Sequence, residues 1–187
     1  MMAGHGCAAR QAVLVAALLS SLMGGTTPGR AATVVPLSLA DLTAHATTIV
    51  DATVTEIRHV VGPSGAERQV LVQVGATWKG DAIETRYVRL AGGTIGRYET
   101  RVPGAPHVEV GDRLIWFLGA AGDRGHAVIG LHQGAMPVHR APDGRALVLS
   151  APTASPPTAR GATPRVPRRV ESLAADVRRL LTRVGPE

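Results

Sequence analysis

Between Gln69 and Lys79 the sequence repeats an apolar side chain at every second position, and this period limits the folds that the chain can adopt. Apolar residues occupy every second position, namely Val70, Val72, Val74, Ala76 and Trp78. Side chains two residues apart share one face of a β-strand, whereas a helix needs a period near 3.6 residues. This stretch therefore predicts a strand with one buried face, and it places Trp78 in the core.

The residues before this strand show the same period. Thr47–Val61 alternates from Val50 to Val54, and its phase slips near residues 55–56, which predicts a β-bulge. Gly62–Glu67 is rich in turn-forming residues. The two strands and this turn are therefore expected to form one long hairpin.

Shorter β patterns follow, separated by turns that contain glycine. They are Ile83–Leu90, Leu114–Leu118, Ala127–Val138 and Arg145–Leu149. Leu114–Leu118 is apolar on both faces, which is typical of a central strand. Gly130 and Gly134 predict bulges or close backbone approaches within one bent strand. Trp116 is predicted to be buried in the same core as Trp78.

Helices are predicted only at the two ends of this β region. Pro36–Ala46 has helical spacing, with Ser38 placed to cap it and Asp41 in the first turn. Residues 170–185 carry an apolar stripe flanked by arginines, and we expect the stripe to dock on the β domain or a partner rather than on a membrane surface. Prolines throughout residues 151–169 predict a flexible linker.

Several short strands with helices only at the ends predict a mainly β fold. We expect residues 33–150 to form a small antiparallel OB-like barrel or sandwich, with a short N-terminal helix. The C-terminal helix would follow the flexible linker. A partly open OB-type barrel of about five or six strands is the first choice.

Residues 1–32 have the features of a secretory signal peptide. Arg10 precedes the apolar run Ala12–Met23, which is short for a membrane span. Cleavage is expected after Ala31 or Ala32, giving a periplasmic or secreted protein with no transmembrane segment. The single cysteine, Cys7, would be removed, so the mature chain is expected to have no disulfide and no thiol nucleophile.

The formal net charge of +6 is concentrated near the two ends of the chain. Residues 32–151 hold eleven basic and eleven acidic side chains, so their formal charges cancel. Binding of single-stranded nucleic acid by an OB barrel requires a basic groove with aromatic side chains beside it. A nucleic-acid partner is therefore not expected.

No catalytic or cofactor motif stands out, and we predict no cofactor and no metal site. The glycines of Gly92–Gly96 are followed by prolines rather than by the helix that a phosphate loop requires. The histidines do not have metal-ligand spacing. Asp51, Glu56 and Glu84 are predicted to face solvent on strands, so a small periplasmic hydrolase with a carboxylate or histidine site is the alternative hypothesis.

The connection Ala91–Asp112 is 22 residues long, more than a barrel of this kind needs. It carries Arg97, Tyr98, Arg101 and His107, and tyrosine and arginine anchor many protein interfaces. In one interpretation it is a rigid loop that binds a protein or a cell-envelope component, and the protein is not an enzyme. In the other it caps one end of the barrel, with Tyr98 turned inward.

The central region resembles a group of small uncharacterised exported proteins of Gram-negative bacteria. The shared pattern runs WKG, GGxxG, VPGAP, GD before LIWFL, and VIGLHQG, within about residues 33–140. This resemblance implies a secreted β domain and supplies no catalytic residue. The hairpin that ends at Lys79-Gly80 also resembles the hairpin of netrin-like barrels of the metalloproteinase-inhibitor type, which rely on disulfides and an N-terminal cysteine.

Overall fold

The computed structural model describes residues 36–150 and 166–183. The predicted signal peptide and residues 151–165 of the predicted linker lie outside the described residues. The described helices are α1 (Leu39–His45) and α2 (Val170–Arg183). The described strands are β1 (Thr48–Gly62), β2 (Gly65–Lys79), β3 (Thr85–Ala91), β4 (Gly93–Ile95), β5 (Tyr98–Thr100), β6 (Arg113–Gly122), β7 (Gly125–Val128), β8 (Ala135–Arg140), β9 (Ala146–Ser150) and β10 (Val166–Arg169).

Five of these strands form a barrel-like ring in the order β1, β2, β3, β7, β6 and back to β1. The seam between β3 and β7 is parallel and has two residue pairs, Val88 with His126 and Arg89 with Ala127. The ring is therefore not strictly closed. The predicted fold class is confirmed, with a helix at each end. The sheet is mixed rather than purely antiparallel, because of this seam.

Two apolar clusters lie on opposite faces of β1 and β6. The first includes Val50, Val54, Val70, Val88, Leu114 and Trp116. The second includes Ile49, Ile115, Phe117, Leu39, Leu42, Leu173 and Val177, and it joins the other face of these strands to both helices. Successive side chains of a strand point to opposite faces, so one strand can serve two cores. The prediction that Leu114–Leu118 is a central strand is confirmed.

The pairing of β1 with β2 contains the predicted bulge and two bulges that were not predicted. Near residues 55–56, the register shifts between Val54 and Glu56. Further along, the register skips Gly75 and then Trp78 on β2. Each skipped residue interrupts the alternation of faces along the strand.

The two tryptophans consequently lie in different cores. Trp116 is fully buried in the first cluster, whereas Trp78 is partly buried against the second. Ala76, predicted on the buried face, is exposed. The prediction of one shared core for both tryptophans is wrong, since the bulges at residues 75 and 78 redirect the end of β2.

The N-terminal helix begins where its capping residues predict. The backbone N–H of Asp41 donates to Ser38 Oγ over 3.1 Å, and the backbone N–H of Ser38 donates to Asp41 Oδ2 over 3.0 Å. These two bonds form a capping box and satisfy amides that the helix itself leaves free. Hydrogen bonds from Ser38 hold the pKa of Asp41 below its usual value. Leu39 and Leu42 are buried together, as predicted.

The C-terminal helix packs against the β structure through its apolar stripe. Val170, Leu173 and Val177 are buried in the second cluster, so the stripe docks on the β domain, one of the two alternatives that the sequence left open. Residues 166–169 were predicted as linker, and this prediction is wrong. They form β10, which pairs antiparallel with β9. Arg168 of β10 also makes an ion pair with Asp176 of α2.

Residues 127–138 are two strands rather than one bent strand. A 3-10 helix at Leu131–Gly134 separates β7 from β8. Gly130 has a left-handed backbone with φ 63°, and a Cβ on Gly134 would lie 2.2 Å from the carbonyl oxygen of Ile129. The predicted close backbone approach at Gly134 is therefore confirmed.

Within the described residues, neither helix is long and apolar enough to cross a membrane.

Candidate functional site

A groove of about 520 Å³ lies between the β1–β2 hairpin and the connection Ala91–Asp112. Ile57 and His59 of β1 and Arg68 of β2 line one side of it. The opposite side consists of residues 99–102 and 105–108 of the connection. The connection contains a small hairpin, β4 and β5, that the sequence did not predict.

Arg68 ties the connection to the hairpin at two separated points. Its Nε donates to the carbonyl oxygen of Gly92 over 3.3 Å, and its Nη2 donates to that of Pro106 over 2.9 Å. Burial lowers the pKa of Arg68, but a guanidinium remains protonated in proteins. Arg68 is therefore a charged brace whose described partners are carbonyl groups rather than a carboxylate.

Further hydrogen bonds hold the connection along its length. The N–H of Thr94 donates to His59 Nδ1 over 2.7 Å, and the N–H of His132 donates to the carbonyl oxygen of Gly104 over 3.0 Å. Near its end, the N–H of Gly111 donates to the carbonyl oxygen of Val54 over 2.8 Å. The connection is therefore held in place at several points.

The bond from Thr94 also defines the chemistry of His59. Because Nδ1 accepts a hydrogen bond, the ring proton of the neutral imidazole is on Nε2. His59 lines the groove and is exposed, so a neutral ring offers its Nε2–H as a hydrogen-bond donor at this surface. Together with Arg68, this makes one wall of the groove rich in donors.

Two of the four predicted binding residues, Arg101 and His107, line the groove. Arg101 Nε lies 2.8 Å from Glu99 Oε1, and this hydrogen bond lowers the pKa of Glu99. His107 Nε2 lies 3.5 Å from Glu109 Oε1. The side chains of Arg101 and His107 are 85% and 86% exposed, so a partner could contact both.

The other two, Arg97 and Tyr98, are not part of the groove lining. They lie where β4 turns into β5, with the Arg97 guanidinium 5.1 Å from the centre of the Tyr98 ring. Arg97 Nη2 also donates to Tyr98 Oη over 2.9 Å. Tyr98 is 66% exposed, so the interpretation in which Tyr98 turns inward is wrong.

His59 and Arg68 were not identified from the sequence, although one signal pointed to Arg68. It lies two residues before Val70, the first valine of the apolar face, and therefore shares the face of Val70 and Val72. A cation at the end of a buried face often has a specific partner. His59 pairs with Arg68 across the hairpin, but its position depends on the register that the bulges set.

The carboxylates considered for a hydrolase have other partners. Asp51, predicted to face solvent, is 6% exposed, and it accepts two hydrogen bonds from Arg113 over 2.8 and 2.6 Å. These bonds raise the pKa of Arg113. Glu56 bonds to Arg58, and Glu84 lies just before β3 rather than on a strand. The prediction that Asp51 faces solvent is wrong, because β6 pairs with β1 here and its Arg113 holds the Asp51 carboxylate in an ion pair.

The groove does not combine these carboxylates with a histidine. Its own acid is Glu99, and the lowered pKa of Glu99 makes it a weaker base. A second cavity of about 250 Å³ is lined by Asp51 and Arg113, whose charges neutralise each other. The described residues contain no group of three or more histidine, cysteine or acidic side chains that could hold a metal ion.

His126 is a buried histidine with a structural environment at the β3–β7 seam. Its Nδ1 lies 2.8 Å from the carbonyl oxygen of Gly119, and its Nε2 lies 3.1 Å from Arg86 Nη1. A carbonyl only accepts and a guanidinium only donates, so the two contacts fit a ring whose Nδ1–H donates to Gly119 and whose Nε2 accepts from Arg86. Both ring nitrogens of His126 therefore have hydrogen-bond partners within the fold.

No model of a known protein family matches this chain, and no curated protein matches it significantly. The groove geometry is accordingly the basis for assigning a function.

Proposed function

We propose that this protein is an exported, non-enzymatic β domain that binds a protein or a cell-envelope component through the groove beside the Ala91–Asp112 connection. One observation carries the proposal. A connection held by hydrogen bonds at several points presents exposed Arg101 and His107 along a groove of about 520 Å³. Because its backbone is already ordered, binding there would cost little conformational entropy.

The residue types at this surface support an interface. Arg97 and Tyr98 form an exposed stacked pair at the tip of the β4–β5 hairpin, close in sequence to Arg101. Arginine and tyrosine contribute a large share of binding energy in many interfaces, because they combine contact area with directed hydrogen bonds. The hairpin tip and the edge of the groove at Arg101 therefore present both arginine and tyrosine side chains.

Export is part of the proposal and rests on residues 1–32. The apolar run Ala12–Met23, with Arg10 before it and small residues after it, supports a cleaved signal peptide. We expect intact-mass spectrometry of the protein from its native host to show loss of about 31–32 residues, as a secretory signal implies. Recovery of the chain with Met1 from the soluble fraction would contradict export.

Replacement of Arg101 by alanine is expected to abolish or strongly reduce retrieval of the partner from an envelope extract. The expected loss is about tenfold or more in apparent affinity, the range of an interface anchor. The melting temperature should change little, because the Arg101 side chain is 85% exposed. Quantitative pull-down with increasing amounts of bait measures this loss.

Arg145→Ala is the matched control for Arg101→Ala. Arg145 also makes an ion pair with the acid two residues before it, Asp143, but it lies after the turn between β8 and β9. The control should retrieve the partner as well as the unaltered protein does. Equal retrieval by Arg101→Ala and the unaltered protein would refute the groove as the binding site, and an additional Arg97→Ala change would then test the hairpin tip alone.

A further inference from the structure

One edge of β1 has no backbone partner among the described residues over its second half. β6 pairs with β1 from Thr48 to Thr53. On that edge, the N–H of Val54 donates to the carbonyl oxygen of Asp112, and the carbonyl oxygen of Val54 accepts from the N–H of Gly111. From Glu56 onward, β1 pairs with β2 on its other edge only.

The register shows which peptide groups point to the open edge. The carbonyl oxygen of Ala66 accepts a hydrogen bond from the N–H of Gly92 on the β3 side. The N–H and C=O groups of the even-numbered residues in this part of β2 therefore point towards β3. The odd-numbered residues then face β1, where they pair with Arg58 and Val60. The alternate residues of β1, which are Ile57, His59 and Val61, therefore direct their N–H and C=O groups outward.

This open edge runs beside the groove. The side chains of Ile57 and His59 line the groove, and the last outward residue, Val61, is 71% exposed. A strand that paired with this edge would direct every second side chain towards the groove, because side chains alternate between faces. Natural sheets usually block such edges, so an open edge beside a groove is a suitable site for strand addition.

The charges of the groove indicate which kind of side chain the added strand carries. Its charged lining residues are Arg68, Arg101 and Glu99, a formal net charge of +1. Glu99 is bonded to Arg101, whereas the described partners of Arg68 are carbonyl groups. With the Nε2–H of His59, the groove presents donors that suit a carboxylate.

We propose that an extended acidic segment of a partner protein binds by pairing its backbone with the Ile57–Val61 edge of β1 and placing a carboxylate side chain in the groove. This inference rests on the proposed function and specifies its binding mode. The chain's own residues 151–165 are a poor match, since they contain four prolines, two arginines and no acid. A proline has no N–H to donate to the strand edge.

The test begins with a displayed library of random twelve-residue peptides selected on the immobilised protein, followed by synthesis of an enriched peptide. We expect enriched sequences to contain an aspartate or glutamate within a segment of strand-forming residues. The synthetic peptide is then N-methylated at one backbone amide at a time. Strand addition predicts a period of two, with about a tenfold loss of affinity at each amide that faces β1 and little loss at its neighbours.

The variants separate this binding mode from the groove itself. Arg101→Ala should weaken the peptide, and Arg145→Ala should not. If Arg101→Ala weakens the peptide but N-methylation has no period of two, strand addition is wrong and the proposed function survives. If selection enriches no peptide, strand addition is also wrong, and the envelope pull-down still tests the groove. Sedimentation velocity adds the remaining outcome, because a dimer that the peptide dissociates would assign the β1 edge to a second copy of this chain.

Discussion

Replacement of Trp116 by alanine is expected to lower the free energy of unfolding by about 3–5 kcal/mol, the range for truncating a buried aromatic side chain. Trp116 is fully buried in the first apolar cluster, on the strand that pairs with β1 and β8. Alanine would leave a cavity among valines and leucines that rigid strands could not close. Urea unfolding followed by circular dichroism measures the change.

Two further variants make the result specific. Trp78→Ala removes the same side chain from a partly buried position in the second cluster, so its loss should be clearly smaller. Trp116→Phe should cost less than Trp116→Ala, because Trp116 Nε1–H has no hydrogen-bond partner among the described residues. Equal losses at the two tryptophans, or a loss below about 1 kcal/mol for Trp116→Ala, would refute the separation into two cores.

Gly125→Ala is expected to destabilise the fold by about 2–5 kcal/mol, combining backbone strain with a steric clash. Gly125 has φ 105°, which favours glycine, and a Cβ there would lie 2.4 Å from the carbonyl oxygen of Tyr87. Because Tyr87 is on β3, the methyl group would push β7 away from the parallel seam that completes the ring. The measurement is again the free energy of unfolding in urea.

Gly122→Ala is the matched control in the same turn. Gly122 pairs directly with Gly125, yet a Cβ at position 122 would meet no atom within 4 Å. This variant should therefore change the unfolding free energy by less than about 1 kcal/mol. If both alanine variants are equally stable, the contact between the turn and β3 does not hold the seam.

Several features followed from local sequence because their causes are local. The capping box at Ser38 and Asp41 depends on residues three apart, and the turns at residues 62–65 and 122–125 depend on residues with little steric restriction. The alternation in Val70–Val74 correctly identified a buried strand face. Each of these patterns is complete within a few residues, so the rest of the fold does not alter it.

The candidate site was predictable only in part. Arg101 and His107 were identified because they lie in a connection of unusual length, and length is visible in sequence. His59 and Arg68 were missed, because they contribute only through the way the hairpin meets the connection. Arg97 and Tyr98 were identified as well, but their position at the tip of a hairpin was not. The two strands of that hairpin are three residues each, which is too short to give a periodic signal.

The amino-acid sequence is sufficient to predict the mainly β class, the long first hairpin, the two-sided strand at residues 114–118 and the amphipathic C-terminal helix. Periodicity specifies these features, because the apolar side chains that are buried on one face or on both faces lie two to four residues apart in the sequence. Three-dimensional packing was needed to show that Trp78 packs against the second core, that residues 166–169 add a strand, and that Arg68 holds the connection in place. Those outcomes depend on the register between distant strands, and a single bulge changes the face of every residue beyond it.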